Sequence, residues 1–241
     1  MARHLRQLPG LRVLEAWPPA GAPASLQAFQ AGPVRVLALG LPADPEPWLA
    51  ALTPHASEAR RQRAARFHFR IDALRCLAAE ALLRQGLQER WGLDLEALEL
   101  RAGRTGKPRV ANQPAIHFNL SHSGSWVLCA LHDRPVGIDV EAVRDAEDLP
   151  AAMVMVPEEL RHWGSLAAPE AQAFFFRLWT LKESLLKALG TGLSLDPRAV
   201  RLRFQGSGVA ATLRDHPLPG WKLVELDMPE GVKAALCYRG G

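Results

Sequence analysis

The segment Phe174 to Leu195, FFFRLWTLKESLLKALGTGLSL, places the strictest limit on what this chain can fold into. Its apolar residues Phe175, Leu178, Trp179, Leu181, Leu185, Leu186 and Leu189 recur at mixed steps of three and four, which predicts an amphipathic helix about four turns long. Gly190 is the expected stop, because glycine readily takes the left-handed conformation that closes a helix. Glu183 and Lys187 are four residues apart, so both side chains leave one face, read here as the exposed one. That pair has two readings. It is either a surface ion pair worth about a few tenths of a kcal/mol or an acid and a base held for chemistry.

Such a helix needs a partner layer, and 241 residues suffice for one large domain or two small ones. With 48% hydrophobic and 22% charged residues and no apolar run approaching a membrane span, the composition is that of a globular chain outside the membrane. The opening residues, MARHLRQLPGLRVLEAW, are basic but lack the apolar core and cleavage site of a secretory signal, so the cytoplasm is the expected location. Cys76, Cys129 and Cys237 are odd in number and far apart, which suits buried thiols and neither a disulfide framework nor a zinc site. A net charge of +4 permits a polyanionic partner without choosing among nucleic acid, membrane and a phosphorylated cofactor.

Along the chain, residues 1–32 are rich in Ala, Pro and Gly and read as an irregular arm. Val34 to Leu41 reads as the first strand. From Ser57 the composition is helical as far as Leu87, as two helices meeting near His68 to Ile71 with Asp72 as an N-cap. Arg60, Arg63, Arg66, Arg70 and Arg75 can converge across that junction as a phosphate cluster or form a solvated basic face. Phe67 and Phe69 alternate like core residues, so no aromatic platform for single-stranded nucleic acid accompanies the arginines.

The run RAGRTGKPRV forces a turn that presents Lys107 at its tip, a candidate phosphate or base contact. Ile116 to Leu131 reads as strand, polar corner, strand, with His122 at the corner as a structural residue or a ligand contact. A serine hydrolase is disfavoured, since the Ser-His-Ser run lacks the G-x-S-x-G elbow. In RPVGIDVEAV, Val136, Ile138 and Val140 alternate with Gly137, Asp139 and Glu141, so both carboxylates share one face of a strand. They are a solvent-facing acidic pair, or a pair with a hard cation between them. Residues 142–172 carry no readable chemistry beyond a helix start at MVPEELRHW, and four strands follow Val200. Together Asp139, Glu141 and Glu183 make an oxygen donor set suited to magnesium shared with a diphosphate, and unsuited to zinc.

Four motifs in this order, GKP at Gly106 to Pro108, FNLSHSG at Phe118 to Gly124, VGIDVE at Val136 to Glu141 and WTLKESLLKALGTGLSL at Trp179 to Leu195, resemble the 4'-phosphopantetheinyl transferases of the type that activates surfactin synthetase. The match spans roughly Thr53 to Leu195, with a long N-terminal arm and a longer Thr53 to Ala59 stretch as departures. The resemblance implies an α+β fold of two similar halves, 33–135 and 136–241, related by a pseudo-twofold with the ligand cleft between them, in a monomer. It implies magnesium on Asp139, Glu141 and Glu183, with Lys187 beside the diphosphate and Glu183 and Lys187 as catalytic groups. It also implies coenzyme A phosphates on Arg60, Arg63 and Arg75, the 3'-phosphate at Ser121 and His122, and Lys107 near the nucleotide. The reaction it implies moves the phosphopantetheine arm to a serine of an apo acyl or peptidyl carrier protein and releases adenosine 3',5'-bisphosphate. A non-catalytic binding module would lack one of these carboxylates or the lysine, and a nucleic-acid-binding domain would not set a carboxylate trio beside its arginines.

Overall fold

The computed structural model of the chain describes residues 25–103, 105–144, 149–206 and 208–240. The strands are β1 (Ser25–Ala31), β2 (Val34–Gly40), β3 (Leu100–Ala102), β4 (Pro108–Val110), β5 (His117–Ser123), β6 (Trp126–His132), β7 (Val136–Ala142), β8 (Val200–Gln205), β9 (Gly208–Leu213), β10 (His216–Pro217), β11 (Trp221–Leu226) and β12 (Val232–Arg239). The helices are α1 (Glu46–Leu52), α2 (Glu58–Ala64), α3 (Arg70–Trp91), α4 (Ala151–Val154), α5 (Pro157–Gly164) and α6 (Ala168–Leu189). This is an α+β chain in two compact units, one running through Leu98 and including Leu120–Leu131, the other comprising Glu99–Asn119 and His132 onward. Among the described residues no helix is long and apolar enough to cross a membrane.

The first unit is built on a sheet in the order β1-β2-β6-β5, with α3 against it. Strands β2 and β6 are continuous apolar runs because they are buried along most of their length. Helix α3 lies close to the sheet at Gly86, where a Cβ would stand 2.4 Å from Leu131 Cδ1. Its buried face also carries one carboxylate. Glu80 accepts hydrogen bonds from Ser57 N–H and Ser57 Oγ, both at 2.7 Å, and pairs with Arg84 at 2.8 Å and Arg60 at 3.3 Å. Burial pushes its pKa upward, and the Ser57 and Arg84 donors outweigh burial and hold it below the usual carboxylate value.

In the second unit the sheet order is β10-β9-β11-β12-β7, with β8 on β9 and α6 packed on β7 and β12. Phe175, Leu178, Leu181, Leu185 and Leu186 of α6 form its core with Val200, Leu223, Ala235 and Cys237. Helix and strand meet at Gly137, where a Cβ would lie 2.1 Å from Ser184 O and 2.4 Å from Ala188 N, so only glycine fits. The helix ends on Gly190 at φ 73°, as the sequence predicts.

Four expectations change. Residues 1–24 lie outside the described residues, but 25–31, assigned above to the irregular arm, form β1: its alternating SLQAFQA pairs residue for residue with the apolar β2. The segment 99–119, expected in the first half, groups with the second unit. Helix α6 begins at Ala168, ahead of the apolar face used to predict it, because Pro169 and Glu170 suit a first turn. Helix α3 is capped at Phe69, and Asp72 lies in its first turn, ion-paired with Arg75 at 2.5 Å.

Gly137→Ala tests the close approach of α6 and β7. We expect it to destabilise the chain by about 2–3 kcal/mol, read as a lower urea midpoint. An unchanged midpoint would contradict the contact.

Candidate active site

The site grows from the α6–β7 contact. On β7, Asp139 is 3% exposed and Glu141 half-buried, on the same side of the strand. On α6, Glu183 is 7% exposed, so the face expected to be open to solvent is turned inward. Lys187 pairs with a carboxylate of the strand, its Nζ standing 2.6 Å from Asp139 Oδ1. Trp179 Nε1 donates to Glu141 Oε1 at 3.3 Å, one turn before Glu183. Glu183 Oε1 is buried and has no hydrogen-bond partner among the described residues. Burial lifts the Glu183 pKa to about 7; the nearby Lys187 charge opposes this rise, and those of Asp139 and Glu141 add to it.

These carboxylates feel one another, yet among the described residues no three His, Cys, Asp or Glu side chains form a group able to hold a metal ion by themselves. An acidic, all-oxygen donor set with an unpaired buried Glu183 oxygen matches a hard cation that a diphosphate helps to bind.

Neighbouring buried charges hold this arrangement in place. Lys182, fully buried, donates to Glu159 Oε2 at 2.7 Å, Val154 O at 2.8 Å and Pro197 O at 3.3 Å. Glu159 in turn accepts from Val156 N–H at 3.0 Å and Leu202 N–H at 3.3 Å. Asn119 Oδ1 accepts Ile138 N–H at 2.8 Å, next to Asp139. The sequence reading assigned no role to Lys182, Glu159 or Asn119. The one available signal was a lysine at a core-facing position of an apolar helix.

Lys107 is not at the tip of an open turn. Its Nζ donates to Val136 O at 2.7 Å and Lys187 O at 2.6 Å, and burial, reinforced by the charge of Lys187, lowers its pKa to about 8. Beside it opens a cavity of about 530 Å³ lined by Lys107, Arg109, His117, Phe118, Leu189 and Thr191 among others. In the first unit, Arg75 donates through Nε to Gly124 O at 2.8 Å, through Nη2 to the same oxygen, and through Nη1 to Asp72, so it props the turn after β5. Ser121 is buried on β5 and His122 exposed beside it. Arg60 is drawn onto Glu80, Arg70 forms a two-point pair with Glu46, and Arg63 and Arg66 are exposed. Three of these arginines, Arg60, Arg70 and Arg75, are thus engaged by carboxylates of their own unit rather than gathered as one free cluster.

The pKa of Glu183 has a sign that can be measured. Between its ordinary value of 4.5 and about 7 the folded chain keeps a proton that the unfolded chain releases. The stability this group contributes is full below the lower value and is lost as pH rises through the upper one. In metal-free protein we expect Glu183→Gln to gain in melting temperature relative to the parent across that window and to hold the gain above it. A constant difference at every pH would show that Glu183 titrates normally.

Comparison with known proteins identifies the family. Residues 42–134 match the family model described as 4'-phosphopantetheinyl transferase, N-terminal, and residues 135–237 match the 4'-phosphopantetheinyl transferase superfamily. The chain is 39% identical over 170 residues to 4'-phosphopantetheinyl transferase psf-1 of Bacillus pumilus, covering 70% of this chain and 72% of that one. It is 34% identical over 184 residues to 4'-phosphopantetheinyl transferase Sfp of Bacillus subtilis (strain 168), covering 75% and 81%. To 4'-phosphopantetheinyl transferase HetI of Nostoc sp. it is 32% identical, covering 81% and 84%. With both units matched and the acidic site between β7 and α6 inside the second match, the chain belongs to the 4'-phosphopantetheinyl transferase superfamily and is an enzyme that transfers phosphopantetheine to carrier proteins.

Proposed function

We propose that this enzyme moves the 4'-phosphopantetheine arm of coenzyme A to a serine of an apo acyl or peptidyl carrier protein, with magnesium, and releases adenosine 3',5'-bisphosphate. The observation that carries this reading is the meeting of Asp139, Glu141, Glu183 and Lys187 where α6 crosses β7, with one Glu183 oxygen buried and unpaired. Asp139, Glu141 and Glu183 would hold the cation, which when bound neutralises diphosphate charge and orients the reacting phosphorus. In the reaction a bond forms from the serine Oγ to the β-phosphorus, and the bond from that phosphorus to the bridging oxygen breaks.

Glu183 takes the serine proton in this reading, as a carboxylate standing next to the cation and the attacking hydroxyl can. Lys187, held against Asp139, offsets charge growing on the departing bisphosphate. Arg63 on α2 and Arg66 just after it, both exposed, and His122 beside Ser121 are the proposed phosphate contacts of the first unit, with Arg75 setting the turn after β5. The cavity with Arg109 and His117 in its wall is the proposed seat of the nucleotide, these two supplying its polar contacts, since the ammonium of Lys107 is engaged by Val136 O and Lys187 O. The reading carries with it two similar halves that share the coenzyme, which a coenzyme A complex would test.

The direct test mixes the chain with coenzyme A, magnesium and apo carrier proteins and looks by mass spectrometry for the added arm. We expect modification, none of it in excess EDTA or with Asp139→Ala. Glu183→Gln should lose on the order of a hundredfold or more in rate while still binding coenzyme A and melting no lower than the parent. Full turnover in EDTA would remove magnesium from this reading, and near-normal transfer by Glu183→Gln would remove Glu183 as the base.

A further inference from the structure

Lys107 belongs to the turn between β3 and β4, but its ammonium is directed into the protein. It spans Val136 O, at the first residue of β7, and Lys187 O, in the last turn of α6, at 2.7 and 2.6 Å. Those two elements carry Asp139, Glu141, Glu183 and Lys187. The final carbonyls of a helix lack intrahelical donors and form the negative end of its dipole, so an ammonium there is doubly favoured. The same turn makes a second attachment, from Thr105 Oγ1 to Gly190 O at 2.5 Å, at the cap that ends the helix. Lys187 O also accepts from Gly190 N–H at 3.2 Å, so Lys107 joins a capping network to the edge of the sheet.

We propose that Lys107 is a positioning residue: by joining Val136 O to Lys187 O it sets the spacing of β7 and the last turn of α6, and with it the approach of Lys187 Nζ to Asp139 Oδ1. This rests on the transfer reaction proposed above and differs from a coenzyme contact, which would act on binding. The depressed pKa of Lys107 agrees with an ammonium enclosed by protein beside a second lysine.

The test separates turnover from binding. For Lys107→Met we expect kcat on a saturating apo carrier protein to fall about tenfold or more while the calorimetric Kd for coenzyme A stays within about threefold, since small misplacement of reacting groups costs rate. Hydrogen exchange at the amides of residues 188–191 should quicken, and Lys107→Arg, which keeps donors on a long arm, should recover most of kcat. Weaker coenzyme A binding with unchanged kcat would make Lys107 a coenzyme contact and overturn the proposal, as would no change in either. Should Lys107→Met fail to fold, Lys107→Gln, with two donors on a shorter arm, is measured for the same split. If the parent chain transfers nothing to any apo carrier, the proposed function fails. Exchange at 188–191 in the variant then decides the clamp by itself: faster supports it, unchanged overturns it.

Discussion

The close crossing of α6 over β7 at Gly137 is the constraint on which the site depends. With no side chain on the strand, the helix backbone at Ser184 and Ala188 approaches to a distance that a single Cβ would block. Glu183 and Lys187 flank this contact along the helix, and Asp139 and Glu141 follow it along the strand. A helix held one side chain farther out would leave Lys187 short of Asp139 and would admit water to Glu183. Dense packing thus sets the electrostatics, because both the ion pair and the raised pKa depend on how near these elements come.

The buried charges fall into two kinds. Lys182 with Glu159, and Glu80 with Ser57, Arg60 and Arg84, are surrounded by hydrogen-bonding partners, and each joins segments distant in sequence. A buried charge left without such partners is strongly disfavoured, which makes these groups specific fasteners. Glu183 is of the other kind: it is buried near two other carboxylates with an oxygen unpaired. Within the second unit the contrast is direct: Lys182 and Glu159 are satisfied by each other and by backbone groups, while Glu183 on the same helix keeps one buried oxygen unpaired.

The family match and the site occupy the same part of the chain. Both units are covered by family models, and the acidic residues lie in the segment matched to the transferase superfamily. Three residues to which the resemblance gives coenzyme roles have partners within their own unit. Arg60 turns to Glu80, Arg75 to Gly124, and Lys107 to two carbonyls of its own unit, each because a nearer acceptor is available within the fold.

From the sequence alone, period and composition determined α6, its glycine stop, the paired helices after Ser57, the strand with Asp139 and Glu141 on one face, and the four C-terminal strands. These are legible because local spacing follows from 3.6- and 2-residue repeats. Asp139, Glu141 and Glu183 could be singled out by residue type, while their mutual influence follows from α6 crossing β7. Strand β1 was missed because its alternation is sparse beside Ala, Pro and Gly, and it forms by pairing with β2. Only the tertiary structure decided that Lys187 meets Asp139 from 48 residues away, that Lys107 reaches Lys187 O across 80, and that Glu183 faces inward. Those outcomes depend on distances between elements, and an ion's partner is whichever group the packed backbone brings within about 3 Å, a quantity no local pattern encodes.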